Sequence, residues 1–276
     1  MKKIIIALSV ILAWQTISQA AFEDWQNGIR ANAMAGAYTG MAQGLDAVRW
    51  NPAGLAELKG WQAQAYAKRL WGIAGLMNES AGLGKDMGKW GGMAVSVQQT
   101  GCELETDQSF TFSHGFSMSE QLSFGYNLNL YRLWQNRFGS AITGGVDVGL
   151  LARVYRKWRI GCFGHNLNHP SLGVETQYEL PSSVAIGLAY EPLPGLAGSV
   201  EASKEPGYIT CYKAGAEFAV KPEVLNIRSG VSNEGSLTLF SLGMDITITG
   251  ITVGYAYEGG HQALAGNHQM GLGYKW

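Results

Sequence analysis

From residue 61 to the C-terminus, apolar and polar residues alternate with a period of two. Leu122, Phe124, Tyr126, Leu128 and Leu130 share one parity, and Ser123, Gly125, Asn127 and Asn129 share the other. Successive side chains of a strand point to opposite faces, so this segment has one apolar and one polar face. The division recurs: Val184, Ile186 and Leu188 oppose Ser183 and Gly187; Phe240, Leu242, Met244 and Ile246 oppose Ser241, Gly243 and Asp245. Met270, Leu272, Tyr274 and Trp276 oppose Gly271, Gly273 and Lys275 at the very end. Candidate strands are 61–67, 70–77, 91–98, 107–114, 121–132, 140–153, 158–164, 182–190, 196–203, 208–219, 224–231, 237–247, 250–257 and 268–276. Leu70 to Met77 alternates poorly, so twelve strands stands as the alternative to fourteen.

Such alternation fits a soluble β-sandwich or a transmembrane barrel. Three features favour the barrel. The strands approach the ~10 residues that cross a bilayer at a tilt. The non-apolar parity is rich in Gly, Ser, Asn and single charges of both signs, which suits a lumen. Aromatic residues sit at strand ends, where interfacial girdles lie: Trp61, Trp71, Trp90, Trp134, Trp158, Tyr190, Tyr257 and Trp276. The expected fold is therefore all-β, a transmembrane antiparallel β-barrel. With both barrel ends in the periplasm, residues 133–139, 165–181 and 259–267 form outer loops, and 115–120, 192–195 and 221–223 form tight turns. Asn78 to Trp90 breaks this asymmetry and reads as a periplasmic excursion.

Two segments precede the barrel. Lys2 and Lys3, the short apolar run from Ile4 to Trp14, and Ser18-Gln19-Ala20 read as a signal peptide over residues 1–20. Residues 21–60 do not alternate and are rich in Ala, Gly and Met. Asn51 can cap a helix and Pro52 suits its first position. Gly60 would end it. This segment is expected to be a partly helical hatch folded into the lumen, since an open barrel of fourteen strands would leave a wide water-filled hole.

Composition sharpens the picture. The chain has 276 residues, with 20 Lys+Arg against 21 Asp+Glu, so a nucleic-acid partner is not expected. Charged residues are 15%, well under the roughly 25% of ordinary soluble domains. Glycine is the outlier, 38 of 276, about twice the usual share. Three cysteines cannot form a disulfide framework. The glycines Gly82, Gly84 and Gly88 have the wrong spacing and context for a dinucleotide loop. His165 and His169 lie in an Asn/Pro-rich loop and do not make a metal pair. No catalytic residue, metal or cofactor is therefore assigned. Asp147, Arg153, Glu217, Arg228, Asp245 and Lys275 fall on the lumen parity and read as a mixed-charge interior that pairs within itself or with the hatch.

The hatch residues also carry a resemblance. Gly28-x-Arg30, Ala33-Met34-Ala35-Gly36-Ala37-Tyr38-Thr39, Asp46-Ala47 and Trp50-Asn51-Pro52-Ala53-Gly54-Leu55 resemble the N-terminal signature of FadL-type outer-membrane proteins. They resemble the PorV/PorQ group of that family more closely, as do Glu179-Leu180-Pro181 and His268-x-x-Gly271-Leu272-Gly273-Tyr274. The resemblance implies a fourteen-stranded barrel in the bacterial outer membrane, gated by a hatch in which Arg30, Gly36, Asn51, Pro52 and Gly54 take part. FadL-type members pass fatty acids or other hydrophobic molecules across the outer membrane. PorV-type members serve a type IX secretion machinery and hold secreted protein cargo. The C-terminal Leu272, Tyr274 and Trp276 resemble the signal read by the barrel assembly machinery. The implied partners are outer-membrane lipid, that machinery, and a hydrophobic ligand or a secreted protein cargo. A transporter predicts an apolar pocket between hatch and wall. An attachment barrel predicts a filled lumen and an exposed docking surface.

Overall fold

In a computed structural model, which describes Phe22 and residues 26–173, 178–260 and 265–276, the alternating segments become one closed sheet. Its strands are β1 (Trp61–Arg69), β2 (Met77–Asp86), β3 (Gly92–Gly101), β4 (Glu105–Ser117), β5 (Leu122–Gln135), β6 (Gly139–Tyr155) and β7 (Trp158–His165). After a two-stranded hairpin, β8 (Ser171–Leu172) and β9 (Tyr178–Glu179), the wall continues with β10 (Ser183–Leu193), β11 (Leu196–Lys204) and β12 (Cys211–Lys221). It ends with β13 (Leu225–Glu234), β14 (Leu237–Ile248), β15 (Ile251–Gly259) and β16 (Asn267–Lys275). All wall pairs are antiparallel, and β1 pairs with β16 from Gln62↔Lys275 to Arg69↔His268. The wall thus has fourteen strands and no free edge. The expected signal peptide, 1–20, lies outside the described residues.

The apolar parity faces outward. Leu128, Leu130, Ile142, Ile186, Phe240, Leu242, Val253 and Leu272 are all exposed on the exterior, a surface that only lipid can cover favourably. At the rim that carries Trp61 and Trp276, hereafter the terminal rim, those two rings stack at 5.9 Å and Trp158 stacks on Tyr190 at 4.3 Å. The opposite rim, which carries the β7–β10 connection, is the loop rim.

The structure corrects the second strand. Residues 70–76 form a loop-rim turn in which Leu70 is buried, and the strand is Met77–Asp86. The expected excursion from Asn78 to Trp90 is therefore this strand plus a single 3-10 turn, Gly88–Trp90. Its outward residues are Met77, Glu79, Ala81, Leu83 and Lys85, so the apolar signal is diluted. The loop expected at 133–139 shrinks, because β5 and β6 stay paired out to Gln135↔Gly139. The strand expected from 208 begins at Cys211, after a turn at Gly207 with φ 84°.

The hatch fills the lumen. It contains helices α1 (Ile29–Ala33) and α2 (Ala47–Trp50), with 3-10 segments at Gly44–Asp46 and Pro52–Glu57. The main apolar core is built around it: Met34, Tyr38, Val48, Trp50 and Leu55 are almost fully buried. A barrel that turns its apolar face outward has no core of its own, and the hatch supplies one.

Candidate functional site

Asn51 anchors the hatch. Its backbone is extended, its Oδ1 accepts from the Ala53 N–H at 3.2 Å, and Pro52 follows at the first helical position. This is an N-cap made as the sequence pattern suggests. The same side chain then reaches outward. Its Nδ2 donates to the Thr39 carbonyl at 3.0 Å and to the Leu150 carbonyl at 2.9 Å, joining hatch turn, hatch helix and barrel wall. Trp50 Nε1 donates to the Asn27 carbonyl at 2.8 Å. Gly36, with φ 75°, lies against the Trp50 ring, and a Cβ on Gly54 would sit 2.2 Å from the Ala42 carbonyl.

Beneath the hatch the wall is floored with glycine. A Cβ on Gly125 would lie 2.3 Å from the Pro52 carbonyl carbon, and one on Gly149 2.1 Å from Asn51 Oδ1. Gly161 and Gly187 lie under Thr39 and Gly40, Gly215 and Gly230 under Met34, and Gly243 and Gly254 under α1. These glycines recur on the inward parity strand after strand, so the surplus of glycine in the sequence reflects backbone packed on backbone.

Charge ties the two parts together. Arg30 donates to both Glu217 oxygens, at 2.7 and 2.9 Å, and Arg228 bridges Glu217 to Asp245. Glu201 accepts from the Tyr38 and Thr39 N–H groups and pairs with Lys213 at 3.0 Å. Arg153 and Arg159 hold Glu57 at the terminal rim, where Lys275 is exposed. Asp147 accepts from Asn127, Asn129 and the Asn166 N–H, and meets His165 at 2.9 Å. Burial pushes the Asp46 carboxyl up, against the hydrogen bond that Tyr66 donates to it at 2.7 Å. Arg30 lies above its ordinary value: burial pulls it down, and Tyr38 and the Glu217 carboxylate raise it further. Of the expected site residues, the structure brings together Arg30, Glu217, Arg228 and Asp245 in one network, and Gly36, Asn51, Pro52 and Gly54 in one packed turn. Arg153 and Lys275 stand apart at the rim. Sequence reading missed Tyr38, Asp46, Glu57 and Arg49 as anchors, because their partners come from remote strands.

At the loop rim a second apolar cluster lies apart from the hatch core. Phe22, Tyr131, Leu172 and Leu180 are buried together, with Leu133, Ala141 and Tyr178 packed against them. The Phe22 and Tyr131 rings meet edge-on at 5.1 Å, and the Phe22 N–H donates to Asp107 at 2.7 Å. A groove of about 580 Å³ lies on the lipid-facing wall, over Ile186, Leu188, Val200, Ala202, Tyr212 and Val231. Between hatch and wall, by contrast, the cavity beside Arg49 and Ser96 measures only about 10 Å³ and is lined by Leu45, Val48 and Tyr66 as well as by Asn27, Gln64 and Ser80. A cavity of that size is too small to be the apolar ligand pocket expected there. Among the described residues, no group of three or more His, Cys, Asp or Glu is placed to hold a metal ion.

A barrel of fourteen strands with a luminal N-terminal hatch has solved counterparts. The Pseudomonas putida toluene transporter TodX superposes with a TM-score of 0.71 over 92% of this chain and 99% of that one, at 12% identity. The fold is that of the FadL-like barrels. A Pseudomonas aeruginosa FadL homologue matches with a TM-score of 0.67 over 90% of this chain and 98% of that one, at 10% identity. The CymD monoaromatic hydrocarbon channel gives 0.66 over 93% and 99%, at 12% identity. No family model matches the chain, and no curated protein matches it in sequence. The FadL-like architecture is thus carried here by very different residues.

Proposed function

We propose that this chain is an outer-membrane channel for a hydrophobic small molecule, held closed by its hatch. The observation that carries the reading is the apolar, aromatic-lined cluster of Phe22, Tyr131, Leu172 and Leu180 at the loop rim, separate from the apolar core that the hatch forms within the lumen. An apolar solute gains free energy by entering such a cluster from water. Neighbours of this fold are described as a toluene transporter and a monoaromatic hydrocarbon channel, which supports the same class of solute. A fatty-acid-like molecule is a narrower form of this reading. Passage requires the hatch to shift, because its backbone rests on the wall glycines.

A second reading, an attachment barrel of the PorV kind in a type IX secretion machinery, draws on a specific observation. The lumen is packed, and Phe138 at the tip of the β5–β6 turn is 86% exposed. Mild extraction from outer membranes followed by native mass spectrometry separates the two. A stoichiometric apolar adduct supports the channel; a bound protein without an adduct supports attachment. Asn51→Ala removes the cap and both cross-links, and under the channel reading it changes uptake of a monoaromatic or acyl probe into cells. Unchanged uptake would count against a gating role for Asn51.

A further inference from the structure

Asp107, on the inward face of β4 near the loop rim, is 9% exposed, and half of its carboxylate is unused. Its Oδ2 accepts the Phe22 N–H at 2.7 Å, while its Oδ1 is buried and has no hydrogen-bond partner among the described residues. No Lys, Arg or His side chain among them pairs with it. Its cross-strand neighbours are Thr100 on β3 and Leu133 on β5, neither of them charged. The nearest acid on its own strand, Glu105, accepts from the Gln135 amide at 2.6 Å. Deeper in the lumen, by contrast, Asp147 meets His165, Glu201 meets Lys213, and Arg228 serves both Glu217 and Asp245. A buried charge without a counter-charge is costly.

The chain itself can supply the missing cation. Ser18-Gln19-Ala20 put the expected signal-peptidase cut after Ala20, so the α-amino group of the mature chain belongs to Ala21, the residue bonded to Phe22. The nitrogens of two consecutive residues are three bonds and about 3 Å apart, and a carboxylate accepts at both oxygens. With the Phe22 N–H already on Oδ2, the nitrogen before it has Oδ1 within reach. Before the cut that nitrogen is a neutral amide with one N–H. After the cut it is an ammonium with three donors and a positive charge, which is what the orphaned half of Asp107 lacks. Phe22 is itself fixed, since its ring is buried against Tyr131 at 5.1 Å with Leu172 and Leu180.

We propose that Asp107 is the binding site for the N-terminal ammonium of the mature chain, so that removal of the signal peptide completes the ion pair that fixes the leading end of the hatch at the loop rim. The proposal rests on cleavage after Ala20 and not on what the barrel carries. The hatch is then tied at both ends, by Asp107 at the loop rim and by Glu57 to Arg153 and Arg159 at the terminal rim.

The test uses the mature protein purified from outer membranes in detergent. N-terminal sequencing and intact mass report the cut, and acetylation by acetic anhydride, followed across pH, reports the amine. The tryptic peptide 21–30 contains no lysine, so an acetyl group on it marks the α-amine alone. A free α-amine titrates near about pH 8, and a paired carboxylate favours the unreactive ammonium and moves that midpoint up. Burial without the carboxylate would slow the reaction but lower the midpoint. The expected result is a chain that begins at Ala21, with an amine that at pH 7 reacts about tenfold more slowly than in Asp107→Asn, a midpoint shift of about one unit. Asparagine keeps an acceptor for the Phe22 N–H and removes the charge, and Glu23 and Asp24 are present in both proteins, so their field cancels. A midpoint that Asp107→Asn does not lower overturns the docking alone. A mature chain that begins elsewhere overturns it together with the expected cleavage site. Should Asp107→Asn not fold, the wild-type chain unfolded in guanidinium chloride is the reference, and equal midpoints in the folded and unfolded chains overturn the proposal.

Discussion

At Gly125 a single hydrogen atom faces the hatch backbone, where any other residue would place a carbon 2.3 Å from Pro52. The neighbouring atoms are main chain and cannot rotate away, so the hatch must move. Gly125→Ala should cost about 1–3 kcal/mol, the range for overpacking a filled interior. Gly82 is the control, since a Cβ there meets nothing nearer than 3.6 Å. Limited trypsin digestion reads the difference: Gly125→Ala should speed cleavage after Arg30 and Arg49, and Gly82→Ala should not. The inward parity of these glycines was legible in the sequence. Their purpose was not, because alternation gives the face of a residue and not what stands opposite it.

The elements divide into those that carry their own signal and those that borrow one. β5, β14 and β16 have strong apolar parities and run close to the spans read from sequence. β2 carries Glu79, Ala81 and Lys85 on its outer face, so nothing in the segment alone distinguishes strand from loop, and pairing with β1 and β3 defines it. The hatch borrows still more. Helices α1 and α2 are single turns, too short to persist alone. α1 is held by the Arg30–Glu217 pair, and α2 by the Trp50 ring and by Asn51, whose side chain bonds the Leu150 carbonyl of the wall; the value of each ion pair between hatch and wall depends on burial. Glu217 serves two arginines that are 19% and 4% exposed in their side chains; Glu217→Gln leaves Arg30 without a carboxylate while Arg228 keeps Asp245, and it should cost about 3 kcal/mol, the lower end for breaking a buried pair. Glu57 sits at the rim, 35% exposed, beside Arg153 and Arg159. Glu57→Gln should cost at most ~1 kcal/mol, as solvent screens such pairs. Chemical unfolding midpoints of the two variants, compared in the same detergent, check the contrast.

For the whole molecule, closure between the first and last strands is the decisive contact. Trp61 and Trp276 exchange backbone hydrogen bonds at 3.0 and 3.1 Å, and their rings stack with a 2° tilt. Trp276→Ala keeps the backbone bonds and loses the stacking with Trp61 and Tyr274, while deletion of Trp276 loses both. The heat-modifiable, folded band in cell envelopes should therefore fall in Trp276→Ala and fall further in the deletion. Equal loss in the two would place the effect in the side chain alone. The sequence by itself determined the barrel, the fourteen-strand count as its leading reading, the hatch over the non-alternating segment, and the lumen parity of Asp147, Glu217, Arg228 and Asp245. Each follows from a period or a turn signal that operates between near neighbours. Only the tertiary structure decided that the lumen is packed, that Glu217 and Asn51 are its cross-links, that Asp107 keeps one buried oxygen without a partner among the described residues, and that the apolar cluster lies at the loop rim. Those facts join residues from distant strands and the hatch, and the closing of the barrel around the hatch is what brings them within a few ångströms.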